Sequence, residues 1–107
     1  MQAGRLDQRI TIQTKSTTRA VNGEEVVVWV VLDTAWAEVK QLRGKEFFAA
    51  AQMQAAVDHQ VRMHYRSDIT RDMRLMWREQ PLDIVGIAEL GHRAGLEIMC
   101  VAGVRNG

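Results

Sequence analysis

WAEVKQLRGKEFFAAAQMQAAVDHQVRMHYRSDIT, residues Trp36–Thr70, is the stretch whose reading decides the fold. It begins as a strand, passes through a short helix opening at Gly44, and returns as a second strand that ends in a polar turn. Gly44–Ala56 is rich in alanine, with Glu, Gln and Met, a composition of high helix propensity. Phe47, Phe48, Ala51 and Ala55 recur at spacings of three and four, which gives one apolar stripe. Glu46 lies in the first turn, where a negative charge complements the helix dipole. From Asp58 the period becomes two: Val61, Met63 and Tyr65 point one way, and Gln60, Arg62, His64 and Arg66 the other. Ser67–Thr70 is a turn of residues whose side chains bond their own backbone.

Upstream, Ile10 and Ile12 alternate with Arg9, Thr11 and Gln13, the pattern of a half-buried strand. Lys15–Glu25 is polar, with Asn22-Gly23 as its turn signal, and predicts a long protruding loop or a splayed ribbon. Val26–Leu32 is apolar on both faces, and the pattern breaks near Asp33-Thr34. Val26–Val31 is thus expected to form the far arm of that excursion, and Ala35–Leu42 a separate strand. So apolar an arm must be buried by its own fold or by a neighbouring subunit, since left bare it invites aggregation.

Downstream, Met73, Leu75 and Trp77 alternate with Arg74, Met76 and Arg78, and the chain turns at Arg78–Pro81. Leu82–Leu90 is a strand with Gly86 as a candidate bulge, Gly91–Gly95 a hairpin loop, and Leu96–Ala102 the last strand. The expected fold is mainly β: a small antiparallel barrel or sandwich of about six to seven strands. It carries one short α-helix (about 44–56) as plug or cover and a long loop (about 15–25).

At 107 residues the chain is expected to form a single domain over 1–107, and 47% apolar with 25% charged residues is an ordinary globular composition. A net charge of +1 means that any role with nucleic acid must come from local clustering. Cys100 is the single cysteine, so no internal disulfide forms. The N-terminus lacks the apolar core of a signal peptide, and Val26–Leu32 falls far short of the roughly 20 residues of a membrane span. A soluble, intracellular protein, or one that leaves the cell without a secretion signal, is expected.

Catalytic chemistry is hard to assemble from these residues. His59 and His64 face opposite sides of one strand, His92 sits in a turn, and the three histidines read as surface residues without a shared metal. Ser16 and Ser67 lie in polar segments, and Cys100 has the parity of a buried small hydrophobe. Glu24, Glu25, Asp68 and Asp72 read as solvated, and no phosphate-cradling glycine loop occurs. An enzyme is not expected. Arg62, Arg66, Arg74 and Arg78 have the parity to share a face if their strands are adjacent. That face is either a patch for DNA phosphates or an acidic partner, or a solvated surface with cross-strand ion pairs. Trp29, Trp36 and Trp77 read as core or subunit-interface anchors.

Taken in order, GRLDQRITIQ, WAEVKQLRGKEFFAA, VRMHYRSDIT and DIVGI resemble the phage head–tail joining proteins, also called head-closure or head-completion adaptors. The resemblance runs from Gly4 to about Val101. It implies a small barrel with one helix and a long loop, added to the portal and adaptor ring after DNA packaging. There it would self-associate into a ring, close the packaged head near the DNA, and offer the tail its docking platform. It implies neither catalysis nor cofactor, no membrane and no small-molecule substrate, with residence in the host cytoplasm and then in the virion. Lys15, Arg19, Asn22, Glu24 and Glu25 on the loop, Lys45 and Glu46 at the helix, and Arg62, Arg66, Arg74 and Arg78 are the candidate contacts with partners or DNA. A nucleic-acid-binding barrel, or another tail component such as a tail terminator, is the alternative.

Overall fold

The computed structural model describes residues 6–42 and 57–103. The expected helix at 44–56 lies outside them, and Lys45, Glu46 and the Phe47/Phe48 stripe with it. The described residues form six strands: β1 (Gln8–Arg19), β2 (Glu25–Gln41), β3 (His59–Met63), β4 (Arg74–Trp77), β5 (Gln80–Leu90) and β6 (Gly95–Ala102). They close one antiparallel barrel in the order β1-β2-β3-β6-β5-β4.

The barrel closes because every strand has alternating residues to put inside it. Ile10 and Ile12 of β1, Ala37 of β2, Val61 and Met63 of β3, and Leu75 and Trp77 of β4 are buried. Leu82 and Ile84 of β5, Leu96, Ile98 and Cys100 of β6, and Ile69 between β3 and β4 join them in the core. Each fully buried aliphatic side chain of this size contributes about 1.5–3 kcal/mol. Burial, helped by the charges of Asp58 and Asp83, pushes the Cys100 thiol up to about 12, so it sits in the core as an unreactive thiol.

Two bulges keep the inward face continuous. On β2, Ile12 pairs with Asp33 but Gln13 pairs with Val31, leaving Leu32 as the extra residue. On β5, Ile84 pairs with Cys100 and Gly86 with Met99, leaving Val85 over. The second is the bulge expected at Gly86. The first corrects the expected break near Asp33-Thr34: the apolar alternation slips by one there because the strand bulges, not because it ends. One continuous β2 replaces the two expected segments.

Of the loop and the ribbon expected at 15–25, the ribbon forms. β1 and β2 stay paired from Thr14↔Val30 to Arg19↔Glu25, and the turn is confined to residues between them. Ala20 N–H donates to Glu24 C=O (2.7 Å), Gly23 N–H to Ala20 C=O (2.9 Å), and Glu24 N–H to Asn22 Oδ1 (3.0 Å). Gly23 has φ of +88°, which the Asn-Gly turn requires. At about 3.4 Å per residue the ribbon projects roughly 20 Å beyond the last β1–β4 pair, Gln13↔Arg74. The molecule accordingly measures 49 × 27 × 23 Å.

Two side chains depart from their expected places. His59, read as a surface residue, is buried beside Val61 and Met63. It donates from Nδ1 to Asp58 Oδ1 (2.6 Å) and meets the Trp77 ring edge-on at 5.8 Å. Trp36, read as an anchor of core or interface, is 52% exposed, because β2 turns Ala35 and Ala37 toward the interior instead. Trp77 is the tryptophan of the core, and its Nε1 donates to Gln8 Oε1 at 2.9 Å.

Candidate assembly surface

Among the described residues, the ribbon is the one place where the alternation has nothing to bury. Its registered pairs put Gln13, Lys15 and Thr17 on one face with Val31, Trp29 and Val27, and Thr14, Ser16 and Thr18 on the other with Val30, Val28 and Val26. In the barrel such residues would face the core. Beyond Gln13 no described strand flanks either one, so Val27 and Val31 stand 58% and 61% exposed, with Val26, Val30 and Leu32 also open. Exposed apolar side chains in one contiguous run mark an interaction surface.

Cations line one side of this run. Lys15 Nζ lies 5.4 Å from the Trp29 ring centroid and the Arg74 guanidinium 4.4 Å from it. Arg74 Nε also donates to Gln13 Oε1 at 2.6 Å, and these groups border a groove against Asp83 and Ile84. At the root of the ribbon the Arg9 guanidinium lies 5.1 Å from the Trp36 ring. Cation–π contacts at exposed sites such as these contribute about 0.5–1 kcal/mol each. Arg19, Asn22, Glu24 and Glu25 stand exposed at the tip, with Arg19 paired opposite Glu25.

The arginine face expected from parity does not form. β3 and β4 are separated by two strands in either direction around the barrel, so Arg62 and Arg74 do not share a surface. Arg62 bonds Glu97, its cross-strand partner on β6, at 3.0 Å. Arg78 covers the Trp77 ring at 4.8 Å. The parity was read correctly on each strand, but it carries no information about which strands are neighbours.

Arg66 has the most specific role. Its Nη1 donates to Asp33 Oδ2 (3.0 Å), while Nε and Nη2 grip both oxygens of Asp68 at 2.9 Å. This ties the residue after the β2 bulge to the β3–β4 turn, and so fixes the root of the ribbon to the barrel. The backbone N–H of Thr34 and then Arg66 hold the Asp33 carboxyl below its ordinary 3.8, and Arg66 does the same for Asp68. A depressed carboxyl stabilises the fold above its ordinary pKa and loses that contribution as pH falls through the folded value. Arg66→Met will therefore lower stability at pH 7, and the deficit will shrink as pH falls below about 4. Urea unfolding of both proteins at pH 7 and pH 3 checks this; an equal deficit at both would remove Arg66 from the linkage.

No group of three or more His, Cys, Asp or Glu that could hold a metal occurs among the described residues. The described residues thus form a barrel with a buried core and an exposed apolar ribbon. Residues 1–103 match the family described as phage head completion protein, and the chain belongs to that family. It is a structural component of a phage virion and serves in joining head to tail. Among its relatives is the head completion protein gp7 of Enterobacteria phage HK97, 31% identical over 96% of this chain and 97% of that one. The solution structure of protein SF1141 from Shigella flexneri 2a shares 33% identity over 96% and 97% of the two chains, with a TM-score of 0.78. A chain of the virion of a native gene transfer agent particle shares the fold at 14% identity and a TM-score of 0.61, over 91% and 94%.

Proposed function

We propose that this chain adds to the portal and adaptor assembly of a DNA-filled head as one copy in a ring, closes it, and offers the tail its docking platform. The observation that carries this reading is the ribbon. A barrel with a complete core has no internal use for the exposed run Val26–Leu32, and an assembly that buries it does. The head-completion role of the phage HK97 relative supports the same setting. Lys15 and Arg19, on the ribbon, are the cations placed to meet DNA or an acidic neighbour, with Asn22, Glu24 and Glu25 beside them. The role in this reading is structural, without a reaction or a cofactor.

Dispersal of Arg62, Arg66, Arg74 and Arg78 around the barrel favours protein contacts over a phosphate-tracking groove. Complementation tests the reading directly. DNA-filled heads made without this protein should lose DNA and fail to join tails, and purified protein added back should restore both. Heads that hold DNA and join tails without it would refute the proposal.

A further inference from the structure

Arg9 donates to Thr34, Arg62 to Glu97, Arg66 to Asp33 and Asp68, and Arg74 to Gln13, all within the fold. Arg78 and Arg93 behave differently. Each is exposed and holds its guanidinium over an aromatic ring, Arg78 4.8 Å from the Trp77 centroid and Arg93 5.7 Å from that of Tyr65. Neither makes a hydrogen bond or an ion pair with another described residue. Their backbone sets them apart as well. Arg78 and Glu79 are the two central residues of the β4–β5 hairpin, inside the registered pair Trp77↔Gln80, with φ of +51° and +64°. Arg93, in the β5–β6 turn, has φ of +59°. Among the described residues these are the only non-glycine residues at positive φ; the other such positions hold Gly23 and Gly91. A two-residue turn of this kind favours Asn-Gly, and a longer side chain strains it. Strain of this kind collects at functional positions.

The two arginines lie at opposite ends of the barrel. β1 and β5 both run antiparallel to β4, so the ribbon and the β5–β6 turn share one end and the β4–β5 turn marks the other. The eleven residues of β5 separate them by roughly 30 Å. We propose that Arg78 and Arg93 are anchors that each grip a carboxylate on a different virion protein, so that the barrel bridges a component on the head side and one on the tail side. A guanidinium laid over a ring keeps its edge free, and that planar fork matches a carboxylate bidentately. Phosphate fits less well. Glu79 stands beside Arg78, and one isolated arginine at each end is not the cluster of cations that phosphate binding uses. The proposal rests on the reading that this chain docks between head and tail, and it names a contact at each end.

Arg78→Asn and Arg93→Asn remove the fork and supply a residue that tolerates positive φ, so each variant should melt within about 5 °C of the parent. Added to DNA-filled heads and then to tails, each should lower infectious particle yield at least about tenfold, the scale of losing an anchoring arginine. Parent yield from either variant would overturn the proposal. Arg78→Lys and Arg93→Lys read the contact directly. In particles completed with them, a carbodiimide should couple the introduced amine to a carboxylate of one virion protein at position 78 and of a different one at position 93. No coupling at one or both positions, coupling to the same protein at both, or coupling to another copy of this chain would overturn it. So would binding of a short DNA duplex by the parent that both asparagine variants lose, which would assign the arginines to phosphate. Add-back of the parent protein is read apart from these variants, so failure here leaves the complementation result standing.

Discussion

Heads supplied with a ribbonless protein will fill with DNA but will not close or take tails. Replacing Thr14–Val30 by an Asn-Gly turn joins Gln13 to Val31 at a pair that is already registered across β1 and β2. The cut removes none of the buried core residues, since the core of β1 ends at Ile12 and that of β2 begins beyond the bulge. It also removes Val21, Val26, Val27 and Val30, whose bare surface contributes nothing to the isolated fold. The melting temperature should stay within about 5 °C of the parent, the scale of a change near 1 kcal/mol in a domain this small. Infectious particle yield should nevertheless fall to that of particles lacking the protein. Normal yields from a stably folded ribbonless chain would mean that the barrel wall, not the ribbon, makes the essential contacts.

The second large effect is on the fold. Trp77→Ala will destabilise the protein by about 3–5 kcal/mol, through lost burial and the cavity left behind. The indole fills the barrel, meets His59 edge-on at 5.8 Å, and reaches Gln8 through Nε1 at 2.9 Å. In a domain of this size that loss is worth roughly 15–30 °C of melting temperature. Trp77→Phe keeps most of the apolar contact and leaves the Gln8 carbonyl without this donor, so it should cost about 1 kcal/mol. Thermal unfolding followed by circular dichroism separates the two. Similar losses for both variants would show that the hydrogen bond, rather than the packed ring, holds β4 against β1.

Alternation made the barrel legible. Ile10 and Ile12, Val61 and Met63, Leu75 and Trp77, and Leu96, Ile98 and Cys100 each declare an inward face at period two, and a half-buried sheet demands that period. Gly86 announced its bulge because an isolated glycine in a strand marks a local break in the pleat. The Leu32 bulge carried no glycine, and the shift of alternation it causes is the same shift that ends a strand. Polarity left Lys15–Thr18 open between loop and ribbon, because a strand with little to bury has the composition of a loop. The arginines failed for a different reason. Face can be read from one strand, but adjacency of β3 and β4 depends on closure of the whole sheet. His59 is buried because Asp58 and Trp77 receive it, and neither contact is coded by spacing along the chain.

Burial of the ribbon on assembly is the central claim, and a single thiol can measure it. Cys100 is buried with its thiol pushed up to about 12, so Val27→Cys supplies one reactive cysteine at a position 58% exposed. The free protein should label with a maleimide at the rate of an exposed thiol. In completed particles that rate should fall by at least about tenfold, as it does where local opening must precede reaction. Equal labelling of Val27→Cys in free protein and in completed particles would contradict the account.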